Sequence, residues 1–196
     1  MLCSSLVIDH LIKERSEKNY GVSHIYFQFQ EQKQQTSLVI MASILKQLLS
    51  QIPSIRFPQN VQEIYKEKRS RHPTLDDVMR ILSSISDQFT RVFVVCDALD
   101  EMDQATQREH ILPLLHTMKK SKISLFLTTR PHPADVLESF SEASIIELVP
   151  NKNEMRLYVE ERLSKNRRFQ NVIQKVGNKN IQQCAVTTIV DASAEV

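Results

Sequence analysis

Short, continuous runs of apolar residues are the feature that most limits what this chain can fold into. Residues 91–96 (RVFVVC) and 123–129 (ISLFLTT) are two such runs, and 145–149 (IIELV) is a third. Uninterrupted apolar runs of this length are typical of strands that are covered on both faces, as in parallel sheets. Residues 22–29 (VSHIYFQF) are β-branched and aromatic, and they predict a further strand.

The spacing of these runs predicts how the strands are connected. About thirty residues lead from one run to the next, which is the length of a strand–helix–strand unit with a right-handed crossover. The sequence therefore predicts an α/β three-layer domain, in which a parallel sheet has helices on both faces. We expect this domain to cover residues 1–150 and a helical segment to occupy residues 151–196.

Helix signals fill the intervals between the strands. Thr36, Thr74 and Asn151 each precede an amphipathic stretch, and the last two are followed at the third position by an acid, as in a capping box. Residues 2–19 have apolar residues on most sides, so we expect that helix to be largely buried. Further helices are expected over 59–71, over 104–119 with a kink or restart at Pro113, and over 133–140.

Composition excludes several classes of function. There are 25 Lys and Arg against 23 Asp and Glu, and a net charge of +2 argues against bulk binding of nucleic acid. No apolar run approaches the roughly 20 residues of a membrane-spanning helix.

Cys3, Cys96 and Cys184 lie far apart, which suits a reducing, cytoplasmic compartment. The histidines form no zinc-binding pair, and Cys96 is interpreted as a small apolar residue within a strand.

Glycine is scarce in this chain. The sequence contains two glycines, Gly21 and Gly177. A loop that cradles phosphate needs glycines close together, because a backbone without Cβ can turn its N–H groups onto the phosphate. Neither a G-x-x-x-x-G-K-[ST] nor a G-x-G-x-x-G pattern occurs in these 196 residues.

Charged residues follow two of the predicted strands. Asp97 ends one apolar run, Asp100 and Glu101 come three and four residues later, and Arg130 ends the next run. Ligands of parallel sheets bind at such carboxyl ends. An acid there can hold hydrated Mg²⁺, two further acids can orient a water, and an arginine can contact a terminal phosphate. Asp97 alone is equally well explained as a helix cap or surface turn, whereas the two motifs together are more specific.

These two motifs resemble those of a known family. Residues 94–101 (VVCDALDE) resemble the Walker B box of the NACHT domains of STAND-class P-loop NTPases, and 125–131 (LFLTTRP) resemble their sensor 1 strand. M-L-C-S-S-L-V-I-D-H-L resembles the helix after the phosphate loop, Y-F-Q-F-Q the second strand, and N-x-x-E-M-x-x-Y-V-E-E-R-L the helix after the fifth strand. The likeness is to nephrocystin-type NACHT modules of fungal proteins, which often precede ankyrin or WD repeats.

The resemblance implies a fold, a cofactor and residue roles. It implies a P-loop NTPase-like parallel sheet that binds ATP or GTP with Mg²⁺ in a cytoplasmic signalling protein. Asp97 would bind the Mg²⁺, Asp100 and Glu101 would activate water, and Arg130 would sense the γ-phosphate. The partners it implies are other domains or subunits of a signalling complex, including further copies of the chain, with no specific nucleic acid and no membrane.

The sequence departs from this family at its start. In the family, Gly-Lys-Ser/Thr stands just before the position of Met1, and that loop and its strand are missing here. The lost charge-assisted hydrogen bonds are worth about 1.5–3 kcal/mol each, so we expect the nucleotide affinity to fall by orders of magnitude and ATP turnover to be absent. We also expect a marginal or aggregation-prone domain, because the missing strand is central in the family's sheet.

Two other interpretations stay open on the sequence alone. The chain could be a non-catalytic interaction module that keeps a degenerate NTPase fold without nucleotide. It could also be an AAA-like remodelling ATPase, which would need a second arginine finger and lid helices with a sensor arginine.

Overall fold

The computed structural model describes residues 2–53, 61–62, 66, 72–102, 108–119, 122–132, 134–148, 151–176 and 180–193. Most of the helix expected over 59–71 lies outside these residues, as do 104–107 of the next expected helix. The chain divides into two compact units, Met1–Glu142 and Ala143–Val196.

The first unit alternates helices and strands. The helices are α1 (Leu2–Lys18), α2 (Ser37–Leu49), α3 (Leu75–Ser86), α4 (Glu109–Lys119) and α5 (Asp135–Ser139), and the strands are β1 (Tyr20–Tyr26), β2 (Arg91–Asp97) and β3 (Ile123–Leu127). Single turns of 3₁₀ helix span Phe29–Glu31 and Leu99–Glu101. The second unit contains α6 (Lys152–Lys165), α7 (Arg167–Val176) and α8 (Asn180–Ser193), and α6 packs against both of the others.

The sheet of the first unit is parallel throughout and has the order β1-β2-β3. Tyr26 pairs with Asp97 at the carboxyl end of the first ladder, and Cys96 pairs with Leu127 at the end of the second. The predicted α/β class with a parallel sheet is confirmed. This register brings the segments that follow β2 and β3 to one edge of the sheet.

The two faces of β2 bury different groups. Val92, Val94 and Cys96 belong to the main apolar cluster, which also contains residues of α2, α3 and α4. Asp97 points to the opposite face because side chains alternate along a strand, and Ser4 of α1 contacts it there. The core therefore lies mainly on one side of the sheet, and α1 covers the other.

The predicted helix starts are confirmed by their caps. The Thr36 hydroxyl accepts a hydrogen bond from the N–H of Val39. Thr74 and Asn151 each form a capping box with the acid three residues later. Each cap satisfies backbone N–H groups that have no partner within the helix. Helix α4 continues through Pro113, so the expected restart does not occur.

The predicted strand over 145–149 is wrong within its described part. Residues 144–148 have no regular secondary structure, and Ile145, Ile146 and Leu148 are 64%, 81% and 68% exposed. Val149 lies outside the described residues. An apolar run shows that a segment could fill a strand position, but a strand also needs a neighbour to supply its ladder hydrogen bonds. The sequence pattern contains no information about that neighbour.

Two other predictions need correction. Helix α1 buries Ser4 and Ile8, whereas Leu6 and Ile12 are exposed, so the helix is not largely buried. It contacts β1 and β2 along one face, and no described layer covers its other side. The strand predicted over 22–29 begins earlier and ends at Tyr26, because the chain turns into the 3₁₀ helix that starts at Phe29.

Gln47 of α2 and Gln51, in the turn that follows this helix, close the outer edge of β1. Gln51 exchanges two hydrogen bonds with the backbone of Val22, at 2.9 and 2.6 Å, and Gln47 does the same with His24, at 3.0 and 2.9 Å. The match is geometric: four residues along α2 and the turn that continues it advance about 6 Å at the rise of a helix, and two residues of strand rise about 6.6 Å. The amides therefore replace a neighbouring strand along this edge, whereas the other edge of the sheet, at β3, pairs with no described strand.

Removing these amides should weaken the fold and expose an edge for pairing between molecules. We expect Gln47→Ala and Gln51→Ala each to lower the free energy of unfolding by about 1–2 kcal/mol, because a strand N–H and C=O lose their partners. Self-association should also increase. Urea denaturation and light scattering measure the two effects. Gln183→Ala, at an exposed position of α8, is the control, and equal behaviour of all three variants would contradict this account.

Candidate functional site

The carboxylate of Asp97 is the buried centre of the predicted site. Asp97 is the last residue of β2 and is buried. Its Oδ1 accepts hydrogen bonds from the hydroxyl of Ser4, on α1, and from the hydroxyl of Thr128 at 2.8 Å. Two hydroxyl groups from separate elements thus hold one carboxylate oxygen at the edge of the sheet.

Thr128 connects the segments that follow β2 and β3. Its Oγ1 donates to Asp97 and accepts from the N–H of Ala98 at 2.8 Å. Its backbone N–H donates to the carbonyl of Cys96, and its carbonyl accepts from the N–H of Leu99, both at 2.9 Å. Four hydrogen bonds at one residue fix the start of the acidic turn relative to β3.

The turn itself begins with an unusual backbone conformation. Ala98 has φ 58° and ψ 52°, in the left-handed region. A residue with a Cβ loses roughly 1–2 kcal/mol there. The bonds from Thr128 oppose that cost, as does the burial of Leu99, which is fully enclosed in the core. The reversal of the chain at Ala98 places Asp100 and Glu101 outside the sheet edge while Leu99 remains inside.

Arg130 joins the two acids of this turn. Its Nε lies 3.3 Å from Asp100 Oδ2, its Nη2 lies 3.1 Å from Glu101 Oε1, and its backbone N–H donates to Asp100 Oδ1 at 3.2 Å. The Arg130 side chain is 74% exposed, against 8% for Asp100 and 28% for Glu101. The structure thus brings three of the four predicted site residues into direct contact and links them to Asp97 through Thr128.

The charges and donor atoms of this edge suit a hydrated cation and an anionic ligand. Asp97, Asp100 and Glu101 provide three carboxylates against the single charge of Arg130, so the edge attracts a cation. The oxygen donors are of the kind that Mg²⁺ prefers, and Mg²⁺ is usually held by one or two carboxylates together with waters and phosphates. Within the described part of the chain, no cluster of three or more His, Cys, Asp or Glu forms a metal cage.

Sequence analysis missed several residues that shape this site. Ser4 lies one helical turn before Ile8 on the buried face of α1, where its hydroxyl reaches Asp97. Gln32 donates to the carbonyl of Glu101 at 2.6 Å from the loop before α2. Arg108 contacts the same turn from the start of α4. No local pattern marks Gln32, whose partner is a backbone carbonyl 69 positions away. Arg108 is equally unmarked, because two of its partners are carbonyls of an irregular turn and the third is an acid 27 positions away.

The thiol of Cys96 has no part in the chemistry of this edge. Its side chain lies in the apolar core, and burial raises the pKa of the thiol to about 12. It therefore stays protonated at neutral pH. This agrees with the interpretation of Cys96 as a small apolar residue.

Comparisons with known proteins identify the family and the fold. Residues 1–130 match the family described as Nephrocystin 3, N-terminal, which covers 130 of the 196 residues. The chain belongs to the nephrocystin 3 N-terminal family. This membership agrees with the resemblance to nephrocystin-type modules and includes every residue of the predicted site. No curated protein matches the chain.

One solved structure similar to this nephrocystin 3 N-terminal chain is that of the Aeropyrum pernix ORC1 protein in complex with DNA. The identity is 15% and the TM-score is 0.50, over 83% of this chain. The chain spans 40% of the ORC1 chain. At this identity the likeness shows the fold alone, which is an α/β domain resembling that of a P-loop NTPase.

Loss of the Thr128 hydroxyl should destabilise the turn. We expect Thr128→Val to lower the free energy of unfolding by about 1–3 kcal/mol, because Asp97 loses one hydrogen bond and the Ala98 N–H loses its acceptor. Thr129→Val is the matched control, since among the described residues that hydroxyl donates to the adjacent Arg130 carbonyl and joins no second segment. Thr128→Ser keeps the hydroxyl, so its free energy of unfolding should stay close to that of the unmodified chain. Equal unfolding free energies for the two valine variants, measured in urea, would refute the role of Thr128.

The cysteines should differ sharply in reactivity. At pH 8 the Cys96 thiol is ionised to only about one part in ten thousand and is shielded from solvent, so alkylation of the folded chain should spare it. Cys184 is exposed and should react. Mass spectrometry after iodoacetamide treatment measures both. If Cys96 in the folded chain were labelled as fast as Cys184, the reagent would have access to the core around β2.

Proposed function

We propose that this chain is the nucleotide-binding module of a signalling NTPase of the NACHT type. The observation that supports this most is the gathering of Asp97, Asp100, Glu101 and Arg130 at the carboxyl edge of one parallel sheet. Family membership and the P-loop NTPase-like fold support a nucleotide as the ligand. The nucleotide is ATP or GTP, bound together with Mg²⁺.

Each site residue has a role in this proposal. Asp97 holds the Mg²⁺, and the hydroxyls of Ser4 and Thr128 keep its carboxylate oriented. Asp100 and Glu101 orient a water and take up its proton. The exposed guanidinium of Arg130 moves from these acids to the terminal phosphate, where its planar fork suits phosphate oxygens. Bound Mg²⁺ would neutralise part of the negative charge on the phosphates.

The 196-residue chain should bind nucleotide weakly and hydrolyse it poorly. Its sequence holds no glycine-rich phosphate loop with a lysine. Backbone N–H groups and the lysine of such a loop normally provide much of the phosphate affinity. We therefore expect a Kd of about 1 mM, which corresponds to about 4 kcal/mol of binding free energy.

The setting proposed for this module is a cytoplasmic signalling assembly. Its partners are other domains or subunits, including further copies of the chain, and the resemblance favours a fungal protein with ankyrin or WD repeats. None of the described helices is long and apolar enough to cross a membrane. The proposal includes no specific nucleic-acid partner, in keeping with the net charge of +2.

A second candidate function is a non-catalytic interaction module. The second unit favours it, because Leu157, Tyr158, Val172 and Ile189 of its helices are exposed. Such residues mark a protein-contacting surface where they join into one apolar patch. This candidate predicts that no nucleotide binds.

Mg²⁺-dependent nucleotide binding tests the proposal. Ligand-observed NMR, which detects millimolar Kd values, with ATP and with GTP in Mg²⁺ and in EDTA, should give binding in Mg²⁺ alone. Asp97→Asn should weaken it at least ten-fold, because altering even the residues around a metal ligand typically costs about 10–100-fold in metal affinity. Asp87→Asn, an exposed acid at the opposite end of β2, should not. Absence of Mg²⁺-dependent binding of both nucleotides would contradict the proposed function and favour the interaction module.

A further inference from the structure

Arg108 is the buried cation of the described residues. The residue is 2% exposed and stands at the start of α4. A guanidinium removed from water must have its charge and N–H groups matched by partners. The Nε of Arg108 donates to Asp135 Oδ2 at 2.6 Å, which supplies the compensating charge. Asp135 is held by its own helix, where the adjacent Val136 is part of the main core.

The other hydrogen bonds of Arg108 go to the acidic turn. Its Nη1 donates to the carbonyl of Asp100 at 3.2 Å and to the carbonyl of Met102 at 2.9 Å. These two carbonyls flank Glu101 on either side. The carbonyl of Glu101 itself accepts from Gln32. Three consecutive carbonyls of the turn are therefore held by side chains from other parts of the fold.

Arg108 thereby connects the two segments that carry the site. The turn with Asp100 and Glu101 follows β2, and Asp135 belongs to the segment that follows Arg130 and β3. The guanidinium sits between them and fixes their separation. The distance between the two segments sets the distance between Arg130 and the acidic pair, and so whether both can contact one ligand.

We propose that Arg108 is a positioning residue that sets the acidic pair against Arg130. This inference rests on the proposed function, since the acidic pair and Arg130 are taken to act on a bound Mg²⁺–nucleotide. Arg108 itself contacts backbone carbonyls and Asp135, so it acts through the turn. Gln32 also holds the turn through a backbone carbonyl, that of Glu101.

The geometry requires an arginine and not merely a positive charge. The Nε and Nη1 of Arg108 donate in different directions, to a carboxylate and to a pair of carbonyls. A lysine has a single nitrogen at the end of a flexible stem and cannot hold both segments in the same way. Arg108→Lys therefore keeps the buried charge and the pairing with Asp135 while releasing the turn.

The test compares Arg108→Lys with Arg80→Lys in the full 196-residue chain. Arg80 also pairs with a carboxylate, that of Asp77, but its side chain is exposed and distant in sequence from the turn. Two properties are measured below the unfolding transition: amide hydrogen exchange by NMR, and the Kd for Mg²⁺–ATP. For Arg108→Lys we expect exchange at Glu101 and Met102 to rise about ten-fold with β1 unchanged, and the Kd to rise about ten-fold.

The outcomes separate this inference from the proposed function. A purely structural role would raise exchange throughout the sheet and would leave the Kd of the folded variant unchanged. Unchanged exchange at the turn in a folded Arg108→Lys variant would overturn the inference. If the unmodified chain does not bind Mg²⁺–ATP, the proposed function fails, and the exchange measurement alone decides whether Arg108 positions the turn.

A second variant keeps the inference testable if Arg108→Lys does not fold. Asp135→Asn removes the charge that holds the guanidinium, at a position that is partly open to solvent. It should cause the same local rise in exchange at Glu101 and Met102, with a smaller amplitude. A folded Asp135→Asn variant with unchanged exchange at the turn would equally overturn the inference.

Discussion

The pairing of the Thr128 hydroxyl with Asp97 is the interaction on which the rest of the site depends. Parallel pairing of β2 with β3 brings the two segments together, and this hydroxyl fixes one against the other. After Asp97 the chain reverses direction at Ala98 and Leu99 enters the core. Asp100 and Glu101 then lie against Arg130. The left-handed conformation of Ala98 persists because these contacts over-determine it.

The sheet has two edges of opposite character. The outer edge of β1 is closed by Gln47 and Gln51, whose amides occupy its backbone groups. At β3, no described strand continues the ladder. A further strand would therefore pair at the β3 edge, and Arg130 follows the carboxyl end of that strand. Whatever pairs with β3 in a larger protein would lie next to the proposed nucleotide site.

Sequence patterns predicted the strands and helix starts that depend on neighbouring residues. They did not predict features that depend on contacts with other parts of the fold. Apolar runs identified β2 and β3, and the caps at Thr74 and Asn151 marked their helices, because each signal lies within a few residues. The strand expected over 145–149 failed because its stability depends on a neighbour. The sequence did not indicate a role for Arg108, because its partners are two carbonyls of the acidic turn and the carboxylate of Asp135, which is 27 positions away.

Locating a bound metal–nucleotide on the chain tests whether the segments after β2 and β3 form the binding site. Mn²⁺ prefers the same oxygen ligands as Mg²⁺ and broadens the NMR signals of nearby nuclei. In a ¹⁵N-labelled chain with Mn²⁺ and ATP, we expect broadening of the amides at 97–101 and 128–130, while those of the β1 edge beside Gln47 stay sharp. Broadening confined to another surface, or none at saturating Mn²⁺–ATP, would contradict it.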